Sequence, residues 1–221
     1  TDATITVTNA LELDVWQLVT MTYTDDADDE ISIYIDGKLV QTSTNGNGSP
    51  STDVSQLYIG GPDPNVFQGF IDEFKIYAYE RSADETLSEF NMLVTDRGST
   101  AVLGRGISYK DLTKDLVGHW YMNELSSTTS PETRMDFSGR KNHLYDNNTT
   151  ESGTGKYGYG ADFERGDSNY LEVGSTMYGL EITGDISISF WANRESNNWT
   201  GGIVTRGNGS TAGGTSYSVG T

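Results

Sequence analysis

The stretch Gly69–Phe90, GFIDEFKIYAYERSADETLSEF, contains the clearest strand of the chain, followed directly by its clearest helix. Side chains alternate along its first nine residues, which predicts a β-strand. The residues expected to share one face are Phe70, Asp72, Phe74 and Ile76. Ser82 and Glu85 form the capping-box pattern that starts a helix. The stretch therefore predicts a strand that leads into a short helix.

The same period-two alternation recurs on both sides of this stretch and predicts an all-β fold. In WQLVTMTYT the residues expected to share one face are Val19, Met21 and Tyr23, and in ISIYIDGKLVQT they are Ile31, Ile33 and Ile35. In DISISFWANR the residues expected to face inward are Ile186, Ile188, Phe190 and Ala192. Asp36-Gly37 is a strong signal for a two-residue hairpin turn. We therefore expect a two-sheet antiparallel sandwich with one short helix.

Composition limits the possible partners of the 221-residue chain. Its net charge of −18 argues against nucleic acid and anionic membranes, because binding phosphate needs clustered basic side chains. The absence of cysteine excludes disulfides and thiolate metal sites, and no apolar run is long enough for membrane insertion. The sequence starts without Met, so we expect a processed chain or a window cut from a longer protein.

Residues 94–114 differ from their surroundings and are predicted to be a linker. They carry four basic residues against two acidic ones in a strongly acidic protein. A solvated tether is one interpretation. The other is that AVLGRGISY lies along a neighbouring acidic surface or adds a strand to an exposed sheet edge.

The segments on either side of this linker resemble the two halves of a laminin-G-like, or concanavalin A-like, jelly-roll domain. Residues 115–221 resemble its first half, through LVGHWYMNE, DFSGRKNH, GKYGYGADFERGDSNYLEV and ITGDISISFWANRE. Residues 1–93 resemble its second half, through WQLVTMTYT, ISIYIDGKLV, LYIGG and GFIDEFKIYAYERSADE. The resemblance implies a single jelly-roll domain that is split or circularly permuted across the chain termini, with its closing strand beside its opening strand.

Several arrangements fit this rotated order. The chain is a window from a tandem array, a circular permutant whose halves pair with each other, or a subunit whose halves pair with those of neighbouring copies, head to tail. The last contact generates filaments unless it closes into a ring. Two independent small sandwiches are the remaining alternative, although each would leave a long unpaired sheet edge.

Two functions follow from the resemblance. The first is a non-catalytic structural or assembly protein, extracellular or at the cell surface, whose partners are other copies of itself. The second is a carbohydrate-binding or adhesive module of a larger cell-surface or secreted protein. An exposed aromatic platform would favour the second function.

Calcium is the cofactor that the resemblance makes possible, because members of this family commonly carry one such ion. Calcium takes six to eight oxygen ligands, often carboxylates mixed with loop carbonyls. The candidate ligands are Asp72, Glu124, Asp136 and Asn142. The pairing of first and last strands is expected to bring Glu124 and Asp72 within reach of each other.

Carbohydrate recognition needs exposed aromatic side chains beside polar groups, and Trp199 and Tyr178 are the weak candidates for that role. Sequons permit glycosylation without indicating it. They lie at Asn47, Asn147, Asn148, Asn198 and Asn208.

No catalytic constellation is complete in the sequence. Glu12, Asp14 and Trp16 in ELDVW resemble the catalytic strand of jelly-roll glucanases, but the third carboxylate is replaced by Trp. There is no Gly-x-Ser-x-Gly elbow, and two scattered histidines, His119 and His143, make a zinc site improbable. We therefore expect no enzyme.

Overall fold

The computed structural model describes residues 5, 7, 10–44, 56–61, 67–94, 113–125, 134–147, 151–173, 177–196, 202–207 and 215–220. Within these residues the chain folds into two antiparallel β-sheets and one α-helix, as the alternation predicts. The strands are β1 (Trp16–Tyr23), β2 (Ile31–Ile35), β3 (Lys38–Ser43), β4 (Leu57–Ile59), β5 (Gly69–Tyr77), β6 (Leu116–Trp120), β7 (Leu144–Asn147), β8 (Glu151–Thr154), β9 (Tyr159–Phe163), β10 (Tyr170–Val173), β11 (Ile186–Arg194), β12 (Gly202–Gly207) and β13 (Thr215–Gly220). The helix is α1 (Ala83–Val94).

The two sheets pack face to face as a jelly-roll sandwich. The larger sheet has the order β3-β2-β1-β11-β5-β9-β8, with β6 also paired to β5, and the smaller sheet has the order β13-β12-β4-β10-β7. The residues predicted to share one face in β1 and in β2, and those predicted to face inward from β11, all lie in the hydrophobic core. The predicted fold class is therefore confirmed.

Strand β11 joins the two segments of the chain that flank the predicted linker. It pairs along its whole length with β1 on one side and with β5 on the other. Strand β6 pairs with the second half of β5, where Phe74 lies opposite Trp120. The strands expected to close and to open the domain, β5 and β6, are thus neighbours in the larger sheet.

A β-bulge interrupts the alternation that the sequence predicts for β5. Glu73 has a positive φ of 51°, and Glu73 and Phe74 together lie opposite the single residue Phe190 of β11. The extra residue shifts the pattern, so Ile71 and Phe74 face the core and the predicted face shared by Phe70, Asp72 and Phe74 is wrong. The bulge also marks a fork, because β9 pairs with β5 before it and β6 pairs with β5 after it.

Helix α1 covers the outer face of the larger sheet and begins with the predicted capping box. The Ser82 amide donates to the Glu85 carboxylate over 2.8 Å, and the Glu85 amide donates to Ser82 Oγ over 3.3 Å. The turn Asp36-Gly37 has two positive φ angles, 52° and 72°, as a two-residue hairpin requires. A Cβ on Gly37 would lie 2.9 Å from the Cα of Leu87, so glycine also lets the helix approach the sheet.

A buried ion network lies between this helix and the sheet. The Glu89 carboxylate is paired with Arg81 and, over 3.1 Å, with Lys75, and Ser189 donates to it over 3.2 Å. Burial by itself would raise the pKa of Glu89, but the charges of Lys75 and Arg81 outweigh it and lower that pKa. The helix is thereby attached by charge-assisted bonds to β5 and β11. In the described part of the chain, no helix is long and apolar enough to cross a membrane.

Because β11 pairs with strands from the other side of the linker, cutting the linker should not separate the two segments. We expect a chain cleaved at a protease site inserted within residues 95–112 to elute in native buffer at the mass of one intact chain. In denaturant, the same sample should separate into two fragments. Fragments that separate in native buffer would contradict the pairing within one chain, and a mass of several chains would favour exchange of segments between copies.

Candidate functional site

Two of the predicted metal ligands, Asp136 and Asn142, hold a turn together. Asp136 Oδ1 accepts hydrogen bonds from the amides of His119 and Ser138, and Oδ2 accepts from the Ser138 hydroxyl and the Asn142 amide, all within 3.0 Å. The Asn142 side-chain amide bonds the main chain of Val117 and Tyr178. These bonds attach the turn to β6. The two oxygens of the Asp136 carboxylate accept four hydrogen bonds, which is about as many as a carboxylate can accept.

Asp72 lies at the fork in β5, and its side chain is fully buried. Its carboxylate accepts hydrogen bonds from the amides of Glu73 and Tyr157, each over 2.8 Å. Burial is the main cause that raises the pKa of Asp72 from 3.8 to about 7, against the lowering effect of these amide bonds. The carboxylate anchors the loop before β9 to the bulge of β5.

Glu124, the remaining predicted ligand, follows β6. Its Oε1 accepts from the Met135 amide over 2.9 Å, and its main-chain oxygen accepts from Arg134 and from Ser152. Among the described contacts, Asp136 and Asn142 are brought together, whereas no contact joins Glu124 to Asp72. The calcium set Asp72, Glu124, Asp136 and Asn142 stays a prediction.

The predicted carbohydrate and glycosylation residues fall only partly in the described chain. Tyr178 has 54% of its surface exposed, and its main chain is bonded to Asn142. Asn147 ends β7, and its Nδ2 atom is buried. The other residues lie outside the described ranges, namely Trp199, Asn47, Asn148, Asn198 and Asn208.

Three carboxylates converge at one corner of the larger sheet, and none of them is among the ligands predicted from the sequence. Asp162, Glu164 and Glu195 have carboxylate oxygens that all lie within 4.8 Å of one another, and we call them the acidic corner. Strand β5 brings them together, because Gly69 lies between Phe163 of β9 and Arg194 of β11. Burial raises the pKa of Glu195, followed by the charges of Glu164 and Asp14. The acidic corner could hold a metal ion.

A second surface carries three rings in a row beside β6. The ring centroids of His119 and Tyr121 are 4.3 Å apart, and those of Tyr121 and Phe137 are 4.5 Å apart. Phe137 is held beside the strand by a 2.7 Å bond from its amide to the His119 carbonyl, and 54% of its surface is exposed. We call His119, Tyr121 and Phe137 the aromatic row.

Polar groups continue the aromatic row at its inner end. The bulge at Glu73 places its carboxylate 3.2 Å from His119 Nε2 and 3.6 Å from Lys75 Nζ. Lys75 lies opposite His119 in the strand register and belongs to the ion network beneath α1. An exposed ring is therefore followed by fixed charged groups, an arrangement suited to a ligand with both apolar faces and hydroxyls.

The glucanase-like segment ELDVW does not form the strand that catalysis would need. Asp14 has a positive φ of 58° and precedes β1, so Glu12 and Asp14 do not alternate along one strand. The Glu12 amide donates to Gln17 Oε1 over 2.6 Å, and Trp16 packs against Phe70. The carboxylates are thus not aligned as on a catalytic strand.

Comparison with known families supports this architecture. Residues 1–86 match the laminin G model of the concanavalin A-like lectin/glucanases superfamily. The resemblance predicted from the sequence is confirmed for this segment, whose strands share both sheets with those of residues 115–221. Comparisons with curated proteins and with solved structures gave no significant match. The match and the fold together show a laminin-G-like type of sandwich.

The sequence contains a local signal for part of the aromatic row but none for the acidic corner. His119 and Tyr121 stand two residues apart in GHWYM, so alternation predicts that they share a face opposite Trp120. Phe137 reaches them from a turn, and no local pattern reports that contact. The acidic corner combines Asp162 of β9 with Glu164 and Glu195, which follow β9 and β11, and the pairing of both strands with β5 brings them together.

The raised pKa of Asp72 predicts a pH dependence of stability. The folded protein binds this proton more tightly than the unfolded chain, so the contribution of Asp72 is complete below its ordinary pKa and is lost as the pH rises through about 7. Relative to Asp72→Asn, the wild-type protein should lose up to about 4 kcal/mol of unfolding free energy between about pH 4 and pH 8.

Denaturant unfolding of both proteins at several pH values measures this difference. Asp28→Asn, a change at an exposed position of the loop between β1 and β2, is the control, and it should leave the difference between wild type and Asp72→Asn intact. Parallel profiles for wild type and Asp72→Asn would show that Asp72 does not bind the proton.

Proposed function

We propose that this protein is a non-catalytic carbohydrate-binding module that acts outside the cell or at the cell surface. Of the two functions that the sequence predicts, the carbohydrate-binding or adhesive one is favoured by the exposed Phe137 at the end of the aromatic row. The family match of residues 1–86 is to a superfamily that includes lectins, which agrees with this function.

The chemistry of the aromatic row suits a sugar. The C–H faces of a pyranose pack against aromatic rings, whose faces carry partial negative charge. The Glu73 carboxylate and the His119 ring would accept or donate hydrogen bonds to the sugar hydroxyls beside that ring. The bonds that hold Phe137 to β6 fix the platform before the ligand arrives, which lowers the entropic cost of binding.

The absence of catalysis is part of the proposal. Glu12 and Asp14 do not alternate along a strand. Glu73 is engaged with Lys75 and His119, rather than facing a second carboxylate across a sugar-sized gap. Binding without turnover is the expected activity of this surface.

Removing the exposed ring should weaken carbohydrate binding. Phe137→Ala removes a contact of about 1.5–3 kcal/mol, which corresponds to an affinity loss of about 10- to 100-fold for a glycan selected on an array. Isothermal titration calorimetry measures the change. Phe137→Tyr keeps the ring and should retain binding, and Leu125→Ala, at a residue that is 67% exposed, tests whether any exposed apolar side chain has the same effect. Unchanged affinity in Phe137→Ala would disprove this role for the aromatic row.

Calcium binding is the second element of the proposal. Three carboxylates held close together repel one another, and a divalent cation would relieve that repulsion. Hard oxygen ligands favour calcium at the acidic corner, and loop carbonyls or water would complete its coordination.

Calcium addition should therefore raise the melting temperature, and Glu195→Gln should reduce that rise because it removes one negative ligand. Asp136→Asn tests the set predicted from the sequence in the same assay. If calcium still raises the melting temperature of Glu195→Gln but not that of Asp136→Asn, the ion binds at the Asp136 turn and not at the acidic corner. No response of the wild-type protein to calcium or to chelation would count against both locations.

Association with other copies remains a proposal beside carbohydrate binding. Because β5, β6 and β11 pair within one chain, a neighbouring copy would contact a finished sandwich without exchanging strands. Copies arranged head to tail would then display several aromatic rows and bind a polymer with greater avidity than one copy.

A further inference from the structure

The outer face of the smaller sheet carries a second group of aromatic and polar side chains. Tyr145, Glu172, Tyr58 and Thr205 lie side by side in one row across β7, β10, β4 and β12. Tyr170 joins them, with its ring centroid 5.6 Å from that of Tyr58 in an edge-on contact. We call this group the tyrosine face.

The tyrosine face points away from the core. Its members are partly exposed, whereas their strand neighbours Leu57, Ile59, Leu171 and Val204 are completely buried. The α-helix of the described chain lies on the other sheet, where Phe90 contacts Trp191. The tyrosine face and the aromatic row therefore belong to different sheets of the sandwich.

The side chains of this face offer rings together with uncharged donors and one acceptor carboxylate. The Tyr58 hydroxyl donates to Gln56 Oε1 over 2.8 Å, which fixes that ring. Because the Tyr58 proton is engaged with Gln56, its hydroxyl oxygen is left as an acceptor, while the hydroxyl of Tyr170 can donate. Neighbouring strands are about 4.8 Å apart, so a row of four strands spans roughly 14 Å.

We propose that the tyrosine face is a second carbohydrate-binding site, that its ligand is a neutral glycan chain, and that the protein cross-links glycans through two sites on separate sheets. Glu172 in the middle of the row disfavours anionic ligands such as sulfated sugars or nucleic acid. A second copy is a poor occupant, because a symmetric contact would bring Glu172 towards its own counterpart in a chain of net charge −18.

The two sites can be tested separately because each has its own ring, the exposed Phe137 and the partly exposed Tyr170. Calorimetric titration with cellohexaose, xylohexaose and mannohexaose as neutral probes should give two binding sites per chain for at least one probe. Tyr170→Ala should weaken binding at the tyrosine face at least about tenfold and leave binding at the aromatic row unchanged. Phe137→Ala should have the reverse effect. Tyr170→Phe keeps the ring and is the matched control, and thermal unfolding verifies that each variant is folded.

Cross-linking gives a second measurement. The wild-type protein should make a solution of the matching soluble polysaccharide scatter light, and either single variant should abolish that scattering while still binding the polymer. If Tyr170→Ala loses one binding site and keeps the site that depends on Phe137, the tyrosine face is a binding site. Loss of all binding in Tyr170→Ala, with no loss in Phe137→Ala, would locate a single site on the tyrosine face and would overturn both cross-linking, which rests on the proposed function, and the proposed role of the aromatic row.

Other outcomes overturn the inference. One site per chain that Phe137→Ala removes and Tyr170→Ala leaves unchanged would overturn the second site, while the proposed function stands. A dimer in sedimentation that Tyr170→Ala dissociates would assign the face to a second copy. Failure of all three probes to bind the wild-type protein would overturn both proposals.

Discussion

The pairing of β11 with β1 and β5 is the constraint on which the rest of the structure depends. Ile188 and Phe190 of β11 face the core, while Ser187 and Ser189 on its opposite face bond the residues that hold α1. Strand β1 carries the hairpin β2–β3, and β5 carries β6 and β9. The position of β11 thus determines where both the aromatic row and the acidic corner can form.

The bulge at Glu73 changes which side chains of β5 reach its outer face. A regular strand would alternate Asp72 and Glu73 to opposite faces and keep pairing with a single neighbour on that side. The extra residue instead leaves Asp72 buried at the fork and brings Glu73 towards His119. Bulges often lie beside binding sites for this reason, since they redirect side chains without breaking the sheet.

Local signals in the sequence predict the elements of this fold well. The faces of β1, β2 and β11, the turn at Asp36-Gly37 and the capping box of α1 each depend on neighbouring residues only. The bulge in β5 depends on its register with β11, so alternation within β5 could not reveal it. Asp136 illustrates a similar limit, because a polar turn suits a metal ligand and a hydrogen-bonding anchor equally, and the sequence does not reveal the amides that bond its oxygens. The acidic corner and the tyrosine face require three-dimensional register and have no local signature.

The central position of β11 also has a consequence for how the protein folds. Its partners β1 and β5 are synthesised long before it, and their pairing closes very long loops. Contacts between distant parts of a chain form slowly, because the entropy of closing the loop opposes them. During translation, β1 and β5 leave the ribosome before the strand that pairs with the adjoining edge of each of them. The order of the strands therefore leaves the centre of the larger sheet to form last, after most of the chain has been synthesised.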